Sequence, residues 1–142
     1  DPYSGLVYDY DAIAPAIEIS VKNPMGDALP YAALFAEYVK NPDPADKNTG
    51  FLVGFKVGDK KVKKALQWQF KYLYRKLEKD AWLDALPDSD FAGGKTGYKG
   101  HELIAKVGLK KNVVFALDYY MTEEINGSKE EDIVQVDFNF RF

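Results

Sequence analysis

The residues best suited to chemistry in this sequence stand in one polar stretch of the chain. Gly94-Lys95-Thr96 copies the end of a phosphate-binding nucleotide loop, but that loop also needs a glycine where Ser89 stands. His101 is the only histidine, and the chain has no cysteine. A metal site or a nucleophile–base pair therefore lacks its second member. We expect no catalytic residue, no metal site and no cofactor.

An acidic group lies in the same stretch. Asp88 and Asp90, with Asp84 upstream, have the side chains to bind a cation or to fold inward as a constriction. A solvated turn, in which Asp side chains accept backbone N–H bonds, explains the same residues. Both interpretations stay open, and Asp88, Asp90 and His101 are retained as candidates for a loop or constriction site.

The elements that must position these residues alternate polar and apolar side chains. In the last ten residues every second side chain from Val134 to Phe142 is apolar, and the residues between them are polar. This period of two is typical of β-strands. We predict seven strands between about Ala14 and Phe142, with a doubtful eighth in GLVYDYD (5–11). The predicted strands centre on APAIEISVKN, PYAALFAEYVK, FLVGFKVG, KKALQWQFKYLYRKL, HELIAKVGL, VVFALDYYMT and IVQVDFNF.

A helix is the main local alternative for residues 63–86, which are rich in Ala, Leu, Lys and Glu. The aromatic residues Trp68, Phe70, Tyr72 and Tyr74 recur at every second position, however, which favours a strand. No stretch approaches the roughly 18 apolar residues of a spanning helix. The 142-residue chain has a net charge of −3 and lacks a concentrated basic region, which argues against nucleic-acid binding.

The predicted connectors differ in length at the two ends of the strands. KKN, GDKK and the turn from Pro24 to Leu29 are short, whereas Asn41–Gly50, Glu78–Gly100 and Glu123–Asp132 are longer and polar. Outer-membrane barrels have this asymmetry. Period two alone does not say whether lipid or a protein core meets the apolar face, because a soluble barrel gives the same pattern.

Residues 77–124 resemble the carboxyl-terminal region of the bacterial putative-porin family of outer-membrane β-barrels. The resemblance rests on the strand Lys71 to Arg75, on Asp80-Ala81, Asp88-Ser89-Asp90-Phe91 and Gly93-Gly94, and on Lys99-Gly100-His101 and Lys111-Asn112. The segment GLVYDYDAIAP likewise resembles the family's lead into a descending strand, with Asp9 and Asp11 at its acidic positions. Lys95 departs from the family's usual Gly-Gly-Thr run.

The resemblance implies an all-β fold, namely an antiparallel up-and-down transmembrane β-barrel. Residues 1–142 would form a single segment of this barrel, with about seven carboxyl-terminal strands of a larger one. The resemblance also implies a long outer loop at about 78–100 and an assembly signal at Phe142 for the outer-membrane insertion machinery. Because barrels of single bacterial chains close with an even number of strands, we expect the remaining strands, or another chain, to complete the barrel. Membrane lipid is an expected partner, and homo-oligomerisation stays open.

The function implied is that of a bacterial outer-membrane porin, a water-filled channel for passive diffusion of small hydrophilic solutes or ions. A barrel sheath around a partner such as a redox protein, and a soluble ligand-binding β-barrel, are the alternatives. A modest basic surplus on the polar faces indicates weak anion preference. The predicted pore-lining residues are Glu18, Lys22, Lys56, Gln67, Gln69, Lys71, Arg75, Glu102, Lys106, Asp118, Gln135, Asp137, Asn139 and Arg141.

Overall fold

The structure is a computed structural model that describes residues 11–82 and 90–141. It is all-β, with one 3₁₀ turn at Ala92–Gly94. In the described part of the chain no helix is long and apolar enough to cross a bilayer. The strands are β1 (Ala16–Lys22), β2 (Pro24–Asp27), β3 (Tyr31–Lys40), β4 (Thr49–Gly58), β5 (Trp68–Leu77), β6 (Tyr98–Lys110), β7 (Val113–Glu124) and β8 (Glu130–Phe140).

Seven of these strands form a single sheet in the order β1-β3-β4-β5-β6-β7-β8. Each pairs antiparallel with its neighbour along the chain, which confirms the predicted seven-stranded up-and-down arrangement. The short β2 lies in the connection between β1 and β3. β1 and β8 are the edges of the described sheet, which does not close. Most of the doubtful strand at 5–11 lies outside the described residues.

Residues 63–82 contain no helix, and the strand within them, β5, starts later than predicted. The rest of the segment predicted as a possible helix, 83–86, lies outside the described residues. Leu66 has a left-handed φ of 66° and a side chain that is 90% exposed, so it belongs to a turn. The side-chain oxygen of Gln67 accepts hydrogen bonds from the backbone N–H of Lys63 (2.8 Å) and Lys64 (2.9 Å). These hydrogen bonds stabilise the turn that ends at Gln67, and β5 therefore begins at Trp68.

The predicted asymmetry of the connectors is only partly correct. The longest connector, 78–97, and the tight turn at 111–112 lie at opposite ends of the sheet as expected. The connector 59–67 is longer than the predicted GDKK turn, because the Asp59 carboxylate binds the N–H of Trp68 and extends the turn. The connector 125–129 is shorter than predicted, because β7 and β8 keep pairing as far as Glu123 and Glu130.

The start of the long connector is fixed to β4 by the carboxylate of Glu78. Its Oε2 accepts hydrogen bonds from the hydroxyl (2.8 Å) and the N–H (3.1 Å) of Thr49, and its Oε1 lies 3.5 Å from the ammonium of Lys76. Burial raises the pKa of Glu78, but these contacts outweigh burial and hold the pKa below its ordinary value. The charged form of Glu78 therefore stabilises this end of the sheet.

The second half of the long connector folds back over the sheet. Phe91 and Ala92 are 2% and 3% exposed and pack against Tyr120 of β7, with Tyr98 and Ile133 at the margin. The main hydrophobic cluster of the described residues thus joins a connector to one face of the sheet. That face is otherwise rich in charge.

Glycine on β4 permits close packing on the same face. A Cβ on Gly54 would lie 2.6 Å from Cζ of Phe35 and 2.9 Å from Cβ of Leu73, and would also meet the carbonyl oxygen of Tyr72. Only a residue without a side chain leaves room for the Phe35 ring at this point. Leu73, directly opposite in the register, is 1% exposed.

We predict that Gly54→Leu lowers the free energy of unfolding by roughly 1–3 kcal/mol, because the added carbons displace Phe35 and strain the pairing of β4 with β5. Urea titration in detergent micelles, followed by circular dichroism, measures the change. Ala36→Leu, on the opposite face of β3, is the matched control and should change stability little. Equal stability of the two variants would contradict the close packing at Gly54.

We predict that Glu78→Gln lowers stability by about 1 kcal/mol at pH 7, because the charged acceptor of Thr49 is lost. The pKa of Glu78 is depressed in the folded state, so its contribution is fully present above the unfolded-state pKa of about 4.3 and is lost as the pH falls through the folded-state value. The stability difference between wild type and variant should therefore disappear on acidification. Unfolding midpoints measured from pH 7 to pH 3 check this, with the exposed Glu130→Gln as control. A difference that persists at the lowest pH would contradict the assignment.

Candidate functional site

The strand register sorts the side chains of the sheet into two chemically different faces. Directly paired residues share a face, so one row runs from Val21 through Ala32, Val57, Phe70, Ala105 and Leu117 to Val136. The neighbouring row runs from Ile19 through Leu34, Phe55, Tyr72, Leu103 and Tyr119 to Val134. We call this side the apolar face. It is continuous across all seven strands.

The apolar face is exposed. Ile19 and Leu34 are each 65% exposed, and Val134 is 64% exposed. No second layer covers them in the described structure. A contiguous exposed apolar surface of this extent marks a region that meets lipid or another protein.

The two ends of the apolar face carry aromatic and charged residues. At the end near the tight turn, Trp68, Phe115 and Phe138 form one cross-strand row with Val107, and the Phe115 and Phe138 rings lie 5.3 Å apart. At the other end the row that follows His101 is charged on β5 to β8, and Lys99 and Glu123 of that row form an ion pair of 3.0 Å. The apolar face thus has defined limits along the strands.

His101 lies within β6 on the apolar face, so its assignment to a loop was wrong. It is paired with Tyr74 on one side and Met121 on the other. Its Nδ1 shares a hydrogen bond of 2.8 Å with the Tyr72 hydroxyl, and the Tyr74 ring lies 5.0 Å away. The sequence missed this because β6 starts at Tyr98 rather than at His101. The histidine belongs to an aromatic group near the charged end of the face.

The opposite side, which we call the polar face, carries most of the residues predicted to line a pore. The structure places on it Glu18, Lys22, Lys56, Gln69, Lys71, Arg75, Glu102, Lys106, Asp118, Gln135, Asp137 and Asn139. Glu102 is buried at 4% exposure, next to Leu73 and Tyr120 in the register. Their lining of a pore stays a prediction.

Two residues predicted to line a pore lie outside the strands. Gln67 lies in the turn before β5. Its amide oxygen accepts hydrogen bonds from the N–H groups of Lys63 and Lys64, and its amide nitrogen donates one to Asp59. Arg141 follows β8, and its N–H donates to the Asn112 carbonyl (3.0 Å). Both therefore lie just beyond the strands in which alternation predicted them.

Charge is separated across the polar face. Lys56 and Lys71 are directly paired on β4 and β5, whereas Asp118 and Asp137 lie on β7 and β8. Glu37 of β3 also lies on this face, opposite Leu52, although the sequence left the facing of β3 ambiguous. Glu37 and Glu131 both add negative charge to this face, so the predicted basic surplus is not supported.

Three cations of the polar face lie over aromatic rings. The Lys71 ammonium is 5.5 Å from the centre of the Phe35 ring, and the Lys56 ammonium is 5.4 Å from that of Tyr31. The Arg75 guanidinium lies 4.6 Å from the centre of the Phe91 ring, which ties the folded-back connector to β5. Such contacts attract a cation to the face of the ring and so help to position it.

The candidate loop residues are placed only in part. Asp90 is exposed at the start of the described end of the connector, next to the buried Phe91. Asp88 and the proposed assembly signal Phe142 lie outside the described residues. Sequence reasoning missed Phe91 as the residue that holds the connector against the sheet, although its apolar side chain in a polar stretch was a usable signal.

The geometry presents an exposed apolar surface on one face of the sheet and a charged surface on the other. Among the described residues, no group of three or more His, Asp or Glu side chains is arranged to hold a metal ion.

Comparison with known proteins gives one result. No curated protein and no solved structure matches the chain significantly. A family profile described as "Putative porin" matches residues 5–142, which is nearly the whole chain, and agrees with the all-β sheet and its two chemically distinct faces. The chain therefore belongs to this porin family.

Proposed function

We propose that this chain forms part of a porin barrel in the outer membrane of a Gram-negative bacterium, through which small hydrophilic solutes or ions diffuse passively. The apolar face contacts lipid, and the polar face lines the water-filled channel. Family membership supports this function. The observation that carries it is the continuous, exposed apolar face on the side opposite the charged residues.

The height of the apolar face fits a bilayer. On β7 the apolar positions run from Val113 to Met121, which is about 27 Å along an antiparallel strand. A strand tilt of 35–45° reduces this to about 20 Å, close to the ~25 Å apolar band of outer-membrane barrels. The Trp68, Phe115 and Phe138 row then lies at one interface, and Tyr74 and His101 lie near the other.

Closure of the barrel requires strands beyond the described sheet. The edge strands β1 and β8 have unpaired backbone groups, and in lipid each unsatisfied group costs several kcal/mol. We therefore propose that further strands, from the same polypeptide or from another chain, pair with both edges. The insertion machinery and lipid are the other proposed partners.

The folded-back connector narrows the proposed channel. Phe91 and Ala92 lie on the polar face, and Arg75 is held over Phe91.

A soluble ligand-binding barrel would direct its apolar residues toward a packed interior. The exposure of Ile19, Leu34 and Val134 favours the membrane channel over that alternative.

We predict that Val136→Lys reduces the amount of folded protein in the outer membrane, because a lysine near the bilayer midplane costs about 2–4 kcal/mol. Gln135→Lys introduces the same residue one position away on the polar face and should assemble normally. Heat-modifiable migration of membrane fractions in denaturing gels measures folded protein. Equal assembly of both variants would contradict the assignment of lipid to the apolar face.

We predict that Lys71→Glu shifts ion selectivity toward cations, because it reverses a charge on the channel wall. Reversal potentials across planar bilayers in a KCl gradient measure the shift, using the full-length protein. The control is Lys111→Glu, which makes the same charge change in the exposed turn between β6 and β7. An unchanged reversal potential in Lys71→Glu would place this residue outside the conduction path.

A further inference from the structure

A cleft on the polar face separates acidic from basic side chains. Its volume is about 440 Å³, within the ~300–1,000 Å³ range of small-molecule sites. Glu18 of β1 and Glu37 of β3 lie on one wall. The basic wall, on β4 and β5, consists of Lys56, Lys71 and Arg75.

The opposite charges of the cleft do not neutralise one another. Within the described residues, none of these five side chains forms an ion pair. Glu18 accepts a neutral hydrogen bond from the Tyr31 hydroxyl (2.9 Å). The Lys71 ammonium lies over the Phe35 ring. Both walls therefore keep their charge available for a solute.

The floor of the cleft between the walls is apolar. Phe35, Leu52 and Leu73 line it, and the absence of a side chain at Gly54 makes room for the Phe35 ring. An apolar floor favours solutes that carry carbon between their charged ends. Simple inorganic ions would gain nothing from it.

The separation of the walls sets the length of the solute. Glu37 and Arg75 stand in one cross-strand row with only Leu52 between them. Neighbouring strands lie about 4.8 Å apart, and Glu37 and Arg75 are two strands apart, so the Cα atoms of these two residues are about 10 Å apart. An extended peptide advances about 3.3–3.6 Å per residue, so the terminal groups of a tripeptide are about 7–10 Å apart.

We propose that this cleft binds zwitterionic peptides of about three residues, an inference that rests on the proposed channel function and names its solute class. The peptide ammonium faces Glu18 and Glu37, and its carboxylate faces Lys56, Lys71 and Arg75. Uncharged or small aliphatic side chains of the peptide lie over Phe35. Recognition requires both charged ends of the same molecule.

The test uses the full-length protein in planar bilayers with three probes: trialanine, N-acetyl-trialanine and trialanine amide. We expect trialanine to reduce the KCl current at a half-blocking concentration about tenfold below that of either capped peptide, because each cap removes one charge-assisted contact. Equal block by N-acetyl-trialanine would show that only the anion is recognised and would overturn the proposal. Equal block by trialanine amide would show that only the ammonium group is recognised and would also overturn the proposal.

Paired variants assign each wall. Glu18→Gln with Glu37→Gln should abolish the discrimination against N-acetyl-trialanine. Lys56→Gln with Lys71→Gln should reduce the discrimination against trialanine amide, because Arg75 is then the one cation left on the basic wall. Asp27→Asn with Glu130→Gln, and Lys110→Gln with Lys111→Gln, change exposed charges outside the cleft and should preserve both preferences. Loss of either preference in these controls would refute the assignment.

Failure of the proposed peptide site can be distinguished from failure of the proposed channel function. A protein that conducts KCl without distinguishing the three peptides would refute the cleft and leave the channel standing. A protein that does not conduct would refute the channel, and equilibrium dialysis of trialanine against the protein in micelles then tests the cleft directly. Tighter retention of trialanine than of both capped peptides would support the site, and equal retention would overturn it.

Discussion

The arrangement of this sheet depends on the two faces of each strand meeting different surroundings. Side chains alternate along a strand, so a row of Val, Leu, Phe and Tyr on one face obliges the residues between them to share the other. Charged residues occupy that second face on all seven strands. A single-residue slip of any strand would exchange its faces, so the contrast between lipid and water, under the proposed function, fixes the register.

The polar face is shaped as much by its small and apolar members as by its charges. Gly54 lets Phe35 and Leu73 approach closely, which forms the floor of the cleft between β1 and β5. Between β6 and β8 an apolar patch around Tyr120 instead receives Phe91 from the connector. One part of the face is thus open to solutes and another is covered, although both derive from the same alternation.

The strands could be predicted because alternation is a local property that survives in the sequence. The positions of Gln67 and His101 could not, since both depend on where a strand begins. Gln67 is withdrawn from β5 by hydrogen bonds to Lys63 and Lys64, and His101 is drawn into β6 by pairing with Tyr74. The facing of Glu37 was ambiguous because alanines occupy both faces of β3, and only the pairing with β1 and β4 settles it.

The distribution of charge matters more for the proposed channel than its sum. With Glu37 included, the described polar face has no clear surplus of either sign, so a selectivity argument based on net charge is weak. Separation of the charges has a different effect, because fixed charges of opposite sign on two sides of the cleft orient a dipolar solute even when the face attracts neither cations nor anions on average. In water a pair of unit charges 10 Å apart interacts by only about 0.4 kcal/mol, so the walls do not cancel one another. A solute long enough to reach both walls gains from each contact independently, whereas a monovalent ion gains from one wall and is repelled by the other.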